Sequence, residues 1–293
     1  MRDALVLVAL CVLACGAGII WLLPVATLNL LSRLEAVRVS TGHAYAPGPR
    51  HGIDVYLPPK TGMDRPVVVF FYGGGWEEGD RALYRFVGAA LASRGIVTII
   101  PDYRVYPDVR FPGFLQDGAQ AVRWAHDHAA QFGGDASRLV LVGHSAGAHI
   151  AAMLAFDRQW LAGVGLDATR DIAGMAGIAG PYDFLPLNSA TLKDIFGSGQ
   201  DLPLSQPINH VMGGEAPVFL VSGTTDSIVD PGNSTRLAAR IQAYGGEVEM
   251  RFHARVSHAS VLGAFARPLR LLAPVLDEIT GFVRDRSSTR SVP

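Results

Sequence analysis

Residues 139–150 read LVLVGHSAGAHI, and this stretch decides the fold. The apolar run 139–142 leads into Gly143-His144-Ser145-Ala146-Gly147, which small residues of helical pattern follow. Strand, tight turn and helix, in that order, form the context that the nucleophile-elbow motif requires. The two glycines leave room for a sharp turn that would hold Ser145 in a strained conformation with its hydroxyl exposed. The stretch predicts a nucleophilic serine, and a purely structural turn serine is the alternative.

Apolar runs alternate with helical patterns along most of the chain. The predicted buried strands are residues 66–71, 96–100, 139–142, 171–180 and 217–222, with a last strand at 248–253. Helices are predicted after Ser145 and at residues 83–94, 115–126, 233–244 and 272–283. Residues 52–57 alternate apolar and polar side chains, as an antiparallel edge strand would. Repeated β–α units with unbroken apolar strands indicate an α/β fold, a mostly parallel sheet with helices on both faces.

Composition limits both the domain count and the chemistry. The chain has 293 residues, of which 49% are hydrophobic and 17% charged, and its net charge is −1. One catalytic domain is therefore predicted at residues 40–286, with a flexible tail at 287–293. Within it, the loop-rich stretch 182–210 is either a small lid or an ordinary surface excursion. Nothing in the charge balance indicates nucleic acid as a partner.

The N-terminal residues form a separate segment. Residues 4–32 contain no charged side chain, and residues 4–23 as a helix would span about 30 Å, enough to cross a bilayer. Residues 1–32 are therefore predicted to anchor the chain in a membrane. A cleaved secretory signal, with a cleavage site near Ala14-Cys15-Gly16, is the alternative, and a buried core helix is a third possibility. Either of the first two makes the protein membrane-anchored or exported. Basic residues on both sides leave the orientation undetermined.

The only cysteines, Cys11 and Cys15, lie in that segment. The rest of the chain therefore forms no disulfide, no thiolate metal site and no cysteine nucleophile. His126 and His128 are two residues apart on a predicted helix and cannot share a face, so no metal pair is expected. The run 73–75 lacks the Lys and Ser/Thr of a phosphate-binding loop. Neither a cofactor nor a metal is predicted.

A serine hydroxyl is a weak nucleophile unless a base takes its proton and a third group orients that base. In an open parallel sheet such groups gather at the carboxyl ends of strands. Asp226 comes immediately after the predicted strand at residues 217–222, and His258 lies in the loop after the last strand. Asp230 is the rival acid, although its place near the helix from residue 233 favours a capping role. The order Ser145, Asp226, His258 is that of α/β-hydrolases.

The sequence also indicates backbone N–H donors for the carbonyl oxygen of a substrate. Gly73, Gly74 and Gly75 directly follow a buried strand, where backbone N–H groups can approach a substrate carbonyl oxygen closely. Each such donor lowers the barrier by roughly 3 kcal/mol. A flexible glycine turn is the alternative. His144 and His149 flank the elbow and are expected to pack around it.

Taken together, these motifs resemble the α/β-hydrolase superfamily, in the carboxylesterase and lipase branch related to hormone-sensitive lipase and to bacterial feruloyl-esterase-like enzymes. The resemblance extends from about residue 44 to residue 284. Its motifs are Tyr72-Gly73-Gly74-Gly75-Trp76, Pro101-Asp102-Tyr103-Arg104, Gly133-Gly134-Asp135, Gly143-His144-Ser145-Ala146-Gly147, Gly223-Thr224-Thr225-Asp226 and Ser257-His258-Ala259.

The resemblance implies the α/β-hydrolase fold and a role for each site residue. Ser145 would attack an ester carbonyl, His258 would act as general base and then acid, and Asp226 would orient His258. The amides of Gly74, Gly75 and Ala146 would form the oxyanion hole. Tyr72 departs from the family, which usually has His there, and this bears on loop geometry and substrate fit more than on catalysis.

The implied activity is cofactor-free hydrolysis of a small-molecule carboxylic ester through an acyl-enzyme on Ser145. One alternative is hydrolysis of another acyl bond, such as an amide or an aryl formamide, by the same machinery. A second alternative, from a different class, is a non-catalytic hydrolase-fold module used for binding. The presence of Ser145, Asp226 and His258 together argues against that module.

Overall fold

The structure, a computed structural model, describes residues 24–288 and contains an eight-stranded sheet. The strands are β1 (Arg38–Ala44), β2 (Gly52–Leu57), β3 (Arg65–Phe71), β4 (Val97–Pro101), β5 (Gly134–His144), β6 (Gly174–Ile178), β7 (Val218–Gly223) and β8 (Val248–His253). Their order across the sheet is β1-β2-β4-β3-β5-β6-β7-β8. β1 pairs antiparallel with β2 and β2 with β4, whereas every other pairing is parallel.

Helices cover both faces of this sheet. In β3 every residue after Arg65 is buried, and successive side chains of a strand point to opposite faces, so neither face meets water. The helices are α1 (Pro24–Leu31), α2 (Arg85–Ser93), α3 (Gly113–His128), α4 (Ala146–Phe156), α5 (Gln159–Ala162), α6 (Ala190–Phe196), α7 (Gly232–Ala243), α8 (His258–Gly263) and α9 (Val275–Ser288). The pairs α2–α9 and α3–α4 pack against each other as well as against strands.

The prediction for residues 1–32 falls mostly outside the described part of the chain. Its last residues form α1, which Asn29 fastens to the segment before α2 through its side-chain amide, 3.0 Å from the carbonyl oxygens of Ala82 and Leu83. None of the helices between residues 24 and 288 has the length and apolar character needed to cross a bilayer.

Two predictions of local structure are wrong. Residues 52–57 do pair antiparallel, but β2 lies between β1 and β4 rather than at the edge, and its central residues are buried. The edge is taken by β1, whose polar sequence RVSTGHA leaves it largely exposed. Leu272 was expected on the closing helix, yet it is half-exposed and precedes it. Pro274 disfavours the helical conformation in the residue before it, so α9 begins only at Val275.

The direction in which the chain adds strands to the sheet reverses at β3. The chain runs from β3 to β4 on one side and then returns across β3 to form β5 on the other side. Loops that leave neighbouring parallel strands at such a reversal diverge and open a crevice at the carboxyl ends. The glycine run 73–75 leaves β3 and the elbow at Ser145 leaves β5, so both sequence motifs meet at this crevice.

Close backbone contact fixes the elbow to the end of β3. A Cβ atom on Gly147 would overlap the carbonyl oxygens of Phe71 and Tyr72. Backbone atoms cannot move aside as the tip of a flexible side chain can. Only glycine therefore lets the first turn of α4 pass this close to β3.

Replacing Gly147 with Ala should lower the free energy of unfolding by about 3 kcal/mol, because the strand and the helix must separate. Chemical denaturation followed by circular dichroism measures this. Gly281→Ala is the matched control, since a Cβ there meets nothing within 4 Å in α9 and should stabilise by up to about 1 kcal/mol. Equal stability of the two variants would contradict the close-contact argument.

Candidate active site

Ser145 lies in a strained turn between β5 and α4. Its φ is 55° and its ψ is −124°, a conformation that a residue with a Cβ seldom adopts. Its backbone N–H donates to the carbonyl oxygen of Ile178 at 2.9 Å, which attaches the turn to β6. The first N–H groups of α4 have no partner within the helix, so their partial positive charge lies beside the serine.

The structure brings His258 and Asp226 together. His258 Nδ1 lies 2.8 Å from Asp226 Oδ2, and the Asp226 side chain is fully buried. The other carboxylate oxygen accepts the backbone N–H groups of Ile228 and Val229, both at 2.9 Å. Because an ionised carboxylate only accepts, we assign the proton to Nδ1. Nε2 of His258 is then available as a base.

The rival acid lies elsewhere. Asp230 Oδ1 accepts the backbone N–H of Gly232 at 2.9 Å, and Oδ2 lies 3.3 Å from Nη1 of Arg236. These two contacts lower the pKa of Asp230, the N–H of Gly232 contributing more than Arg236. Asp226 rather than Asp230 is therefore the acid that faces His258.

His144 connects β5 with the segment that carries His258. Its Nε2 lies 3.1 Å from the backbone carbonyl oxygen of His258, and the two rings are 4.8 Å apart. A carbonyl only accepts, so Nε2 carries the proton. Burial lowers the pKa of His144 to about 3, with the neighbouring His258 as a second cause. His144 is thus a neutral donor that holds the start of α8 against the end of β5.

Stacked tyrosines support the glycine loop. Tyr72 is buried between Tyr84 and Tyr103, with ring centroids 5.1 and 4.7 Å away, and its hydroxyl donates to Asp102 at 3.0 Å. Tyr103 donates to the carbonyl oxygen of Tyr72 at 2.7 Å, and Tyr84 donates to that of Gly73 at 3.1 Å. Burial raises the pKa of Tyr84 to about 12, so it stays a donor at neutral pH. The ring of Tyr72 thus lies between the two tyrosines that hold the loop.

The loop itself depends on left-handed glycines. Gly74 has φ 137°, and a Cβ there would overlap the carbonyl oxygen of Glu78. This carbonyl belongs to the turn that follows the glycine loop. The backbone of residues 73–75 consequently faces the cleft without side chains in between.

Two adjoining clefts meet at Ser145. The first, of about 490 Å³, is lined by the glycine run 73–75 together with Tyr84, His144, Ser145 and His258. The second, of about 700 Å³, extends from Ser145 along Trp76 to residues of the stretch 182–210 and of α7. Gly75, Glu77, Ser145 and Ile228 line both clefts. A substrate bound across the serine can therefore place one portion in each cleft.

Aromatic rings close the inner side of the second cleft. Trp76, which adopts φ 61°, packs on Phe184, Phe196 and His149, with ring centroids 5.8, 4.8 and 5.2 Å away. His149 Nε2 lies 2.8 Å from the carbonyl oxygen of Ser205 and thereby ties α4 to the stretch 182–210. The sequence placed His149 near the elbow but not in this cluster, whose members come from distant parts of the chain.

Among residues 24–288, no group of three His, Cys, Asp and Glu side chains is arranged to hold a metal ion. What the described residues do assemble is a serine in a strained turn, a carboxylate–histidine pair, and a glycine loop. The sheet topology defines a protein of the α/β-hydrolase class.

Comparison with known proteins agrees with this class. The profile of the BD-FAE family matches residues 53–241, so the chain belongs to the BD-FAE family. The predicted resemblance to carboxylesterases of the α/β-hydrolase superfamily and the predicted fold class are both confirmed.

The relatives are named as esterases. The isoprenylcysteine alpha-carbonyl methylesterase ICME of Arabidopsis thaliana is 29% identical over 74% of this chain and 56% of its own length. The carboxylesterase NlhH of Mycobacterium tuberculosis is 39% identical over 35% of this chain and 33% of its own. The chain spans about half the length of curated relatives such as ICME.

Solved structures share the fold. Thermogutta terrifontis esterase 2 superimposes with a TM-score of 0.66 and 25% identity, over 84% of this chain and 96% of that one. Esterase B of Lactobacillus rhamnosis has a TM-score of 0.77 over 99% of this chain and 98% of that one, at 23% identity.

Burial of His149 predicts a pH dependence of stability. Burial lowers the pKa of His149 to about 4, whereas an unfolded histidine titrates near 6.5. Between these values the unfolded chain binds a proton that the folded chain does not bind. The contribution of the neutral, buried His149 to the free energy of unfolding is therefore complete above pH 6.5. It is lost as the pH falls towards 4, by up to about 1.4 kcal/mol per pH unit.

His149→Gln removes this titration and retains a side-chain amide that can donate to Ser205. Urea unfolding at pH 7.5 and pH 5 should show a smaller loss of stability on acidification in the variant than in the parent chain. A variant that is destabilised equally at both pH values would contradict the burial of a neutral His149.

Proposed function

We propose that the chain is a serine carboxylesterase in which Ser145, His258 and Asp226 act as one unit. The observation that carries this proposal is the 2.8 Å contact between His258 and Asp226 at the cleft that Ser145 lines. The named relatives support it, since they are carboxylesterases and methylesterases. The similarity to esterase 2 at 25% identity agrees with the same reaction type.

Catalysis would proceed through an acyl-enzyme. The hydroxyl oxygen of Ser145 attacks the ester carbonyl carbon while Nε2 of His258 takes the hydroxyl proton. The buried carboxylate of Asp226 holds the ring in the required tautomer and stabilises the imidazolium that forms. His258 then gives the proton to the leaving alcohol. Water repeats the sequence on the acyl-enzyme, releasing the carboxylic acid and the free serine.

The developing oxyanion would be held by backbone N–H groups of Gly74, Gly75 and Ala146. Gly74 and Gly75 line the cleft, and Ala146 directly follows the serine at the start of α4. Preorganised donors of this kind lower the barrier by roughly 3 kcal/mol each. The tyrosine stack around Tyr72 supports this role because it fixes the loop from behind.

Substrate size would be set by the second cleft. Phe184, Leu185 and Leu192, all from the stretch 182–210, form an apolar wall there. We therefore assign this stretch the role of a cover over one portion of the ester. A volume of about 700 Å³ accommodates a group of drug size, so a small or medium acyl chain fits better than an extended polymer.

The full chain should hydrolyse p-nitrophenyl esters, with an optimum among the acetate to palmitate series that reflects the cleft volume. Ser145→Ala should reduce kcat/KM by about 10⁴-fold or more, and Asp226→Asn should reduce kcat by about 10³- to 10⁴-fold because the histidine loses its oriented tautomer. Release of p-nitrophenol at 400 nm or so provides the rate.

Glu278→Gln is the matched control for Asp226→Asn. Glu278 Oε2 lies 2.9 Å from His253 Nε2, an equivalent carboxylate–histidine contact on β8 and α9 outside both clefts. The Glu278→Gln variant should hydrolyse the p-nitrophenyl esters at a rate within about threefold of the parent rate. Ser145→Ala with more than a tenth of the parent activity would remove Ser145 from the mechanism. A folded parent inactive on every ester but active on aryl formamides would shift the assignment to amide bonds.

We propose in addition that residues 1–32 attach the protein to a membrane. The absence of charge from residue 4 to residue 32 supports this. An uncleaved anchor predicts that full-length protein stays with membranes after alkaline carbonate washing, as detected by immunoblot with a C-terminal tag. A shortened chain in the exported soluble fraction would instead establish a cleaved signal.

A further inference from the structure

Carboxylates dominate the charged lining of both clefts. Glu77 lines both of them, Glu78 lines the first, and Asp183 and Asp230 line the second. Against these four carboxylates, the described lining residues include one guanidinium, that of Arg236. The histidine beside the serine, His144, is neutral because burial lowers its pKa to about 3.

Arg236 does not offer its charge to a ligand. Its Nε lies 2.6 Å from Asp183 Oδ2, and its Nη2 donates to the Asp183 carbonyl oxygen at 2.8 Å. Its Nη1 lies 3.3 Å from Asp230 Oδ2. Two carboxylates therefore compensate one guanidinium, and the second cleft keeps an excess of negative charge even at its basic residue.

The remaining two carboxylates, Glu77 and Glu78, follow the glycine loop along the chain. Glu77 Oε2 would be 3.6 Å from a Cβ on Gly75, which places this carboxylate beside the glycine loop. The charge of Glu78 contributes, after burial, to the raised pKa of Tyr84, whose hydroxyl contacts the same loop. Carboxylates thus line both of the clefts that meet at Ser145.

This arrangement has a consequence for the transition state. As the carbonyl oxygen becomes anionic, nearby carboxylates oppose the new charge, while the backbone N–H donors favour it. A positive group on the substrate offsets the carboxylates, and it remains bound while the oxyanion forms. A cationic substrate is therefore favoured both in binding and in the chemical step.

We propose that the preferred substrates are esters that carry a cationic group, a protonated amine or a quaternary ammonium, within a few bonds of the ester. Glu77 is the principal specificity-determining residue because it borders both clefts. This inference rests on the proposed esterase activity and goes beyond it by naming the charge of the substrate.

The test compares two esters of the same shape and different charge, choline butyrate and 3,3-dimethylbutyl butyrate. Both release butyric acid, so a pH-stat measures both rates in the same way. At an ionic strength of about 20 mM, kcat/KM for the cationic ester should exceed that for the neutral ester by about tenfold. At about 0.5 M salt the ratio should approach one, because screening shortens the reach of exposed charges.

Variants assign the preference to particular carboxylates. Glu77→Gln should lower the cationic-to-neutral ratio at least threefold, and Glu78→Gln should lower it by a smaller factor. Glu249→Gln is the matched control, since Glu249 is an exposed carboxylate of β8 outside both clefts, and it should leave the ratio unchanged. Circular dichroism verifies that each variant is folded.

The outcomes separate the two proposals. Hydrolysis of the neutral ester with a charge ratio near one at low salt would overturn the inference and leave the esterase proposal intact. A ratio that Glu77→Gln and Glu78→Gln both leave unchanged would also overturn it. Failure to hydrolyse either ester, together with the p-nitrophenyl series, would instead refute the proposed function.

Discussion

The site depends on the contact between the first turn of α4 and the end of β3. Gly147 passes so close to the carbonyl oxygens of Phe71 and Tyr72 that no side chain fits between them. This contact sets the distance between the two motifs that leave neighbouring strands, the elbow from β5 and the glycine loop from β3. The cleft that Ser145 and the glycine run 73–75 line together follows from that single approach.

Around this contact, hydrogen bonds of buried side chains hold the remaining parts of the site in place. His144 donates to the carbonyl oxygen of His258, while Asp226 Oδ2 accepts the hydrogen bond of the Nδ1–H group of the same histidine. His258 is thus held at its backbone by the end of β5 and at its side chain by the loop that follows β7. Burial keeps His144 uncharged, so it does not add a second positive charge beside the imidazolium that catalysis would generate.

Much of this arrangement could be predicted from the sequence because each motif follows the end of a predicted strand. Ser145, Asp226 and His258 occur in an order that a parallel sheet converts into neighbours. The Tyr72 stack could not be predicted in the same way. It joins residues 72, 84 and 103 through ring contacts, and those contacts depend on how two loops fold against each other. The polar sequence of β1 likewise did not indicate that this strand, rather than β2, lies at the edge.

Charge is the property that distinguishes this cleft from a generic ester-binding groove. The chain as a whole is nearly neutral, so composition alone gives no hint of it. The excess of carboxylates arises because Glu77 and Glu78 follow the glycine loop directly, whereas Arg236 is paired with Asp183 and Asp230. The glycine loop that lines the cleft is thus followed along the chain by two carboxylates. Under the proposed preference, a cationic group of the substrate compensates these carboxylates, and the charge of the substrate then affects how fast it reacts.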